Sequence, residues 1–216
     1  MKRKILIVDD HPVFCLGMSQ LINREKDLEV CGSEDSAPRA LQAIDRLKPD
    51  LVIADIALKE SNGIELVKEI RRRYPQMPVL VLSMYDESLY AERALLAGAR
   101  GYVMKQEAMV QVVEALRKVL KGEVYASVSV KEKTFQRLVA QRDPLQKSPI
   151  DLLTDRELEV FHLIGEGLST RDIAERLHLS AKTIGTYREN IKNKLGLQHY
   201  AQLIQTAVFW SRQAQK

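Results

Sequence analysis

The sequence predicts a three-layer α/β domain with a parallel sheet, followed by a smaller all-α domain. Short apolar runs bounded by turn residues alternate with amphipathic stretches of helical length through the first half of the chain. The clearest run, Leu51-Val-Ile-Ala-Asp55, follows Lys48-Pro49-Asp50 and is apolar up to its last residue, as a strand covered on both faces is. Beyond Pro149 only the helical period remains.

A length of 216 residues suits one or two domains, and 45% hydrophobic with 29% charged residues is an ordinary globular composition. No apolar run approaches the roughly 20 residues of a membrane span. Met1-Lys-Arg-Lys4 is basic, but Asp9 and Asp10 interrupt the apolar run behind it, so no secretory signal is expected and the chain is expected to be cytoplasmic. Cys15 and Cys31 lack metal-ligand spacing and are expected to fill core volume. The net charge of +4 conceals an asymmetry. Between Ser148 and Leu179, three arginines meet seven acids, a balance of −4; from Ser180 onward six cations meet Glu189 alone, a balance of +5. Such a basic segment is the footprint of phosphate contacts or a solvated helix face.

Strand signals fall at Ile5–Val8, Leu28–Cys31, Leu51–Ala54, Val79–Leu82 and Gly101–Met104, and helical ones at Val13–Asn23, Pro38–Leu47, Gly63–Arg73, Ser88–Ala97 and Met109–Leu120. Pro12 suits a first helical turn, Pro49 and Pro78 stop helices, and Gly98 and Gly122 are placed as C-terminal caps. With right-handed crossovers, five βα units over residues 1–122 make a doubly wound, flavodoxin-like domain. Asp9-Asp10 and Asp55 then stand at the carboxyl ends of strands, where such sheets place their chemistry. Three carboxylates converging there cannot all ionise without a cation between them, and oxygen-only ligation suits Mg2+.

The run Ile5-Leu-Ile-Val-Asp-Asp-His-Pro12, with Asp55, Ser83 and Lys105 at later strand ends, resembles the receiver domain of two-component response regulators, and Asp-Asp-His-Pro is similar to the NarL/FixJ subgroup. The resemblance implies that Asp55 accepts a phosphoryl group from a sensor histidine kinase. It implies Mg2+ on Asp10, Asp55 and the Ala57 backbone carbonyl, with Asp9 acting mainly through water. Lys105 would neutralise first the Asp55 carboxylate and then the acyl phosphate, Ser83 would turn its hydroxyl to a phosphoryl oxygen, and Tyr102 would move inward with it. One departure is Lys59, four residues after the acceptor, where the family usually has proline; loss of the fixed φ is expected to loosen that loop. Under this resemblance the protein is not an enzyme but assists its own phosphorylation and dephosphorylation.

Residues 123–149 break the alternation. Val130–Arg142 has the pattern of one amphipathic helix, and Arg142-Asp-Pro-Leu-Gln-Lys-Ser-Pro149 is a polar, proline-stiffened linker. Over 150–216, Thr154-Asp-Arg-Glu157 is a capping box, Ser169 and Ser180 open two further helices, Gly196-Leu197 ends the third in the manner of a Schellman motif, and a fourth spans roughly Tyr200 to Ser211. Two helices joined by a tight turn, then a basic third helix after them, would satisfy a helix-turn-helix. Leu153-Thr-Asp-Arg-Glu157, Gly165-Glu-Gly167, Asp172-Ile-Ala174, Lys182-Thr-Ile184 and Lys194-Leu-Gly196 resemble the LuxR-type DNA-binding domain.

On the third helix, Ile184, Ile191 and Leu195 form the expected buried stripe, and Lys182, Gly185, Thr186 and Glu189 share the opposite face, which would enter the major groove. Lys182, Arg188 and Lys192 are candidates for phosphate contacts, and Thr183 and Tyr187 for added hydrogen bonds. Glu189 can accept from a cytosine amino group, and the Thr186 methyl can touch thymine. The last helix often mediates dimerisation in the family, which makes Leu203, Ala207 and Trp210 candidates for a homodimer seam or, equally, for the domain's own core. Sensor kinase and double-stranded DNA are the expected partners, the active form an expected homodimer, and RNA polymerase a further candidate. An aspartyl phosphatase is the alternative enzyme class, but it needs a second Asp where Ala57 stands.

Overall fold

The computed structural model describes residues 2–58, 61–85, 87–128, 130–132, 135 and 149–214. They fall into two compact units, 1–136 and 137–216. In the first, strands β1 (Arg3–Val8), β2 (Leu28–Glu34), β3 (Leu51–Asp55), β6 (Val79–Ser83) and β7 (Gly101–Met104) form one parallel sheet in the order β2-β1-β3-β6-β7. Helices α1 (Pro12–Asn23), α2 (Ala37–Leu47), α3 (Gly63–Arg73), α4 (Glu87–Ala97) and α5 (Lys105–Leu120) alternate with them, and β4 (Ala57–Leu58) and β5 (Ser61–Asn62) make a separate antiparallel hairpin. The strand order reverses between β1 and β3, the switch point of a doubly wound sheet.

Burial on both faces explains why the strands are apolar without alternation. Ile5 and Ile7, Leu51 and Ile53, and Leu80 and Leu82 pack with Met18 and Ile22 of α1 and Val112, Leu116 and Val119 of α5 in one core. The intervening Leu6, Val8, Val52, Ala54, Val79 and Val81 are equally buried and, by the two-residue period, face the other way. Register then does the functional placement. Val8 pairs with Ala54, Asp55 with Leu82, and Ser83 with Met104. Asp9, Asp55, Ser83 and Lys105 therefore end on one edge of the sheet.

Three elements differ from the sequence expectation. Strand β2 runs on to Glu34 past the expected Cys31: Cys31 is an extra residue that faces the Ile5–Leu6 step of β1, and pairing resumes from Gly32 to Glu34. Helix α5 begins at Lys105, not Met109; its N-cap, Met104, offers no side-chain cap and left no polar start signal to recognise. The β4–β5 hairpin is too short to carry a periodic pattern. Lys59, expected to loosen this loop, lies outside the described residues.

Of the segment expected as linker, Tyr125 exchanges backbone hydrogen bonds with the edge of β7 (Tyr102 N to Tyr125 O, 2.9 Å; Tyr125 N to Arg100 O, 2.9 Å). Such pairing covers a sheet edge. Val130–Glu132 and Phe135 are helical. The rest of the helix expected over Val130–Arg142, and the linker up to Ser148, lie outside the described residues.

The second unit holds α6 (Asp155–Gly165), α7 (Thr170–Arg176), α8 (Ala181–Lys194) and α9 (Tyr200–Ala214) after a 3-10 turn at Pro149–Leu152. Reciprocal capping boxes, Thr154 with Glu157 and Ser169 with Asp172, start α6 and α7, and Ser180 accepts from Thr183 N to start α8. Gly196, at φ +67°, closes α8 with Leu197 N donating to Lys192 O at 2.9 Å, the expected Schellman bond. Leu158, Phe161, Leu163, Ile173, Ile184, Ile191, Leu203 and Ala207 form the buried interior. Leu203 and Ala207 are 0% and 1% exposed, so neither offers the surface that a homodimer seam needs, whereas Trp210, the third candidate, is half-buried. The i,i+4 spacing of Leu203 and Ala207 fits either role, and only burial distinguishes them.

Gly63 is the tightest backbone approach in the first unit: a Cβ there would lie 1.8 Å from the Asp55 carbonyl oxygen. Gly63→Ala must push α3 away from the strand that carries Asp55. We expect a loss of about 3 kcal/mol, read as a lowered urea midpoint with an unchanged m-value.

Candidate functional site

The carboxyl edge of the sheet is acidic and closed by one cation. Lys105, the first residue of α5, reaches back with Nζ 2.7 Å from Asp55 Oδ2 and 2.6 Å from Asp9 Oδ2. Asp9, Asp55 and Lys105 are all buried. The Phe14 ring lies 4.7 Å from the same ammonium, a cation–π contact that further shields it. Asp9 Oδ1 accepts from the backbone N–H of His11 at 3.0 Å. Asp10 is half-buried beside them, and Ala57 lies in the hairpin just beyond Asp55.

Electrostatics at this edge are dominated by burial. It pushes the Asp55 carboxyl up to about 7, helped by the Asp9 charge and opposed by Lys105. Lys105 itself is raised, because the two carboxylates outweigh the desolvation of its ammonium. Asp55 Oδ1 has no hydrogen-bond partner among the described residues although the residue is 2% exposed. A buried carboxylate oxygen in that state fits a bound cation or phosphoryl group. One ligand atom each from Asp9, Asp10, His11 and Asp55 lie within 4.8 Å of one another, and the donors are hard oxygens apart from the imidazole. This donor set fits Mg2+.

Ser83 and Tyr102 stand on the same edge. Ser83 is fully buried and its Oγ accepts from Tyr85 N at 3.0 Å. Tyr102 is already inward, its hydroxyl donating to Tyr85 O at 2.7 Å. Tyr85 stacks on Tyr90 with ring centroids 4.7 Å apart. Sequence reasoning passed over Tyr85, Tyr90, Phe14 and Asn62, the residue whose side chain caps α3 from Ile64 N. A signal existed only for Asn62, which stands immediately before a helical run.

On α8, Lys182, Thr186 and Glu189 are exposed and Thr183, Gly185 and Tyr187 are half-buried. The stripe opposite consists of buried Ile184 and Ile191, with Leu195 only half-buried. The cations divide sharply. Arg188 stacks its guanidinium 3.4 Å over the Tyr200 ring and donates to the Thr170 hydroxyl, so it ties α8 to α7 and α9. Lys192 bonds both Glu189 oxygens, at 3.1 and 2.9 Å. Lys194 reaches buried Glu157 at 2.6 Å.

Comparison with known proteins decides the family. Residues 5–117 match the response regulator receiver domain, and residues 151–207 the bacterial regulatory proteins of the luxR family. The oxygen regulatory protein NreC of Staphylococcus haemolyticus is 32% identical over 209 residues, covering 95% of this chain and 96% of the relative. Response regulator protein VraR of Staphylococcus aureus is 33% identical over 206 residues, covering 94% and 95%. The chain belongs to the NarL/FixJ type of response regulators. A solved response-regulator structure, RcsB of Salmonella enterica serovar Typhimurium bound to promoter DNA with the phosphomimetic BeF3−, matches with TM-score 0.58 at 25% identity, covering 95% of this chain and 97% of that one.

The response regulator thus joins a receiver domain to a LuxR-type DNA-binding domain, and its function is transcriptional regulation. Among the described residues no helix is long and apolar enough to cross a membrane.

The raised Asp55 has a definite pH signature. In the unfolded chain it titrates near ~3.9, so between about pH 4 and 7 the native state holds a proton that the unfolded state lacks. Its contribution to stability therefore falls as pH rises through that window. Urea midpoints measured in chelator at pH 5 and 7.5 should drop more for the native response regulator than for Asp55→Asn, which removes the titration.

Proposed function

We propose that this response regulator is switched by phosphorylation of Asp55 from a sensor histidine kinase, in a Mg2+-dependent reaction that controls dimerisation and sequence-specific DNA binding. The observation that carries this is the buried Asp9–Lys105–Asp55 bridge, with Asp55 Oδ1 left unpartnered among the described residues. Asp10, Asp55 and the Ala57 carbonyl, with Asp9 through water, are the residues that would hold the ion. When bound it neutralises charge on the transferring phosphoryl group.

The chain's own groups do the rest. Asp55 is the nucleophile, and the phosphoryl group moves from its donor to a carboxylate oxygen as an acyl phosphate. Lys105 holds the Asp55 carboxylate beforehand and follows the new charge onto the phosphoryl oxygens. Ser83 leaves its bond from Tyr85 N to meet one of those oxygens. Tyr102, bonded to the Tyr85 carbonyl, couples that movement to β7, which packs with α4 and α5. The protein is no enzyme toward a separate substrate; it assists its own phosphorylation and dephosphorylation.

For the second domain, α8 enters the major groove with Lys182, Thr186 and Glu189 outermost. Duplex DNA is the partner, as it is for the RcsB structure. Homodimerisation on phosphorylation uses surface other than Leu203 and Ala207; among the described residues of α9, the large exposed apolar side chains are Ile204 and Phe209. RNA polymerase is a further partner for a regulator that activates, and such a protein works in the cytoplasm.

Intact mass after incubation with acetyl phosphate and Mg2+ tests the switch. The native chain should gain one phosphoryl group and Asp55→Asn none; equal adducts on both would refute Asp55 as acceptor.

The DNA face has its own test. Lys182→Ala should lower the salt slope of binding by about 1, as loss of a phosphate contact does. Arg188→Ala should weaken binding at every salt concentration without changing that slope, because its guanidinium is engaged by Tyr200 and Thr170. Fluorescence anisotropy on a duplex selected from random DNA, between low and moderate salt, reads both.

A further inference from the structure

His11 stands at the rim of the acidic edge, and the phosphorylation chemistry described above gives it no task. Its Nδ1 lies 3.0 Å from Asp9 Oδ1 and 2.9 Å from Asp10 Oδ1, while its side chain is 61% exposed. The residue is also the N-cap of α1 with extended backbone, and Pro12 follows at the first helical position. The proline fixes the chain direction there, so the imidazole is held over the two carboxylates by backbone rather than by packing.

These distances have a meaning for coordination. Neighbouring ligands of an octahedral ion with bonds of ~2.1 Å are about 3.0 Å apart, and opposite ones about 4.2 Å. The ring nitrogen lies at the first of these spacings from two carboxylate oxygens, one of them a hydrogen-bond contact; as a ligand it would carry its proton on Nε2 instead. All the separations in the cluster lie within 4.8 Å, at most about 0.6 Å beyond the second, within the reach of side-chain rotation. Lys105 is engaged elsewhere, on Asp9 Oδ2 and Asp55 Oδ2, which leaves the other oxygens of those carboxylates to face the imidazole's side of the site. The buried Asp55 Oδ1, unpartnered among the described residues, is a second and independent sign of a ligand there.

We propose that His11 is itself a ligand of this metal site, and that its nitrogen gives the site a preference for borderline divalent transition ions such as Co2+ and Ni2+ over Mg2+. This rests on the reading of the edge as a metal site. A site of oxygen donors suits Mg2+, whereas imidazole adds affinity along the series from Mn2+ to Ni2+ and little for Mg2+.

Isothermal titration calorimetry of the full chain with NiCl2 and with MgCl2, at pH 8, separates the possibilities. Three proteins are compared: native, His11→Ala and Asp10→Asn, each verified as folded by circular dichroism. His11→Ala should weaken Ni2+ binding about tenfold or more and leave Mg2+ binding within about twofold, a change of selectivity that mere loosening of the loop would not produce. Asp10→Asn should weaken both ions, which locates the Ni2+ at this edge and not at another histidine. An unchanged Ni2+ to Mg2+ affinity ratio in His11→Ala overturns the proposal while leaving the Mg2+ site intact. Native Ni2+ affinity in Asp10→Asn overturns it too, by placing the ion elsewhere. Failure of the native chain to bind either ion overturns both this proposal and the metal site beneath it.

Discussion

A buried ammonium between two buried carboxylates is the constraint around which the receiver domain is arranged. Asp9 and Asp55 lie on neighbouring strands, one residue past the paired Val8 and Ala54, and the register leaves them no room to separate. Two desolvated carboxylates at that spacing repel, and the burial that shelters the site also favours their neutral forms. Lys105 offsets this by bonding one oxygen of each. It can do so because α5 begins at Lys105 itself, directly after β7, so the side chain turns back over the sheet edge. A helix beginning at Met109 would leave the lysine in a loop. The early start of α5 is therefore part of the site.

The strand-end residues were legible because two-sided burial writes itself into sequence. Ile5–Val8 and Leu51–Ala54 are continuous apolar runs, and a carboxylate directly after such a run, buried at the sheet edge, needs a cation beside it. Ser83 and Lys105 close the next two strands of the sheet, and they were legible through the family resemblance and not through the apolar runs. What stayed illegible was set by tertiary geometry. Nothing local marks α5 as starting at a lysine behind an uncapped Met104. The β4–β5 hairpin has two residues per strand, below the length at which a two-residue period can be seen. The Tyr85–Tyr90 stack joins a loop to a helix, and neither residue announces the other in sequence.

The Asp55–Gly63 approach shows how closely the site depends on its surroundings. The chain leaves β3 at Asp55, makes the hairpin and returns at Gly63 against the same carbonyl, where Gly63 N donates to Ile56 O at 2.7 Å. Asn62 then caps α3 from within that loop. The Asp55 carboxylate thus sits at the base of a loop whose ends meet, and the backbone that carries it is fixed by close packing.

In the DNA-binding domain, charge counting and charge placement part company. The balance of +5 after Ser180 suggests a broad phosphate-binding surface. Three of its cations are engaged inside the domain. Lys194 neutralises Glu157, the same carboxylate that completes the capping box of α6. Lys192 bonds Glu189, and Arg188 stacks on Tyr200. An acid buried in α6 needs a partner more than a phosphate in solvent does, because leaving it unpaired carries the full cost of desolvation. Part of the basic tail therefore balances the acidic segment before it, which ties together the −4 and +5 halves of one small domain. Glu189 belongs to the same balance: Lys192 bonds both of its oxygens, so under the proposed reading of α8 it could accept from a base only by giving up that ion pair.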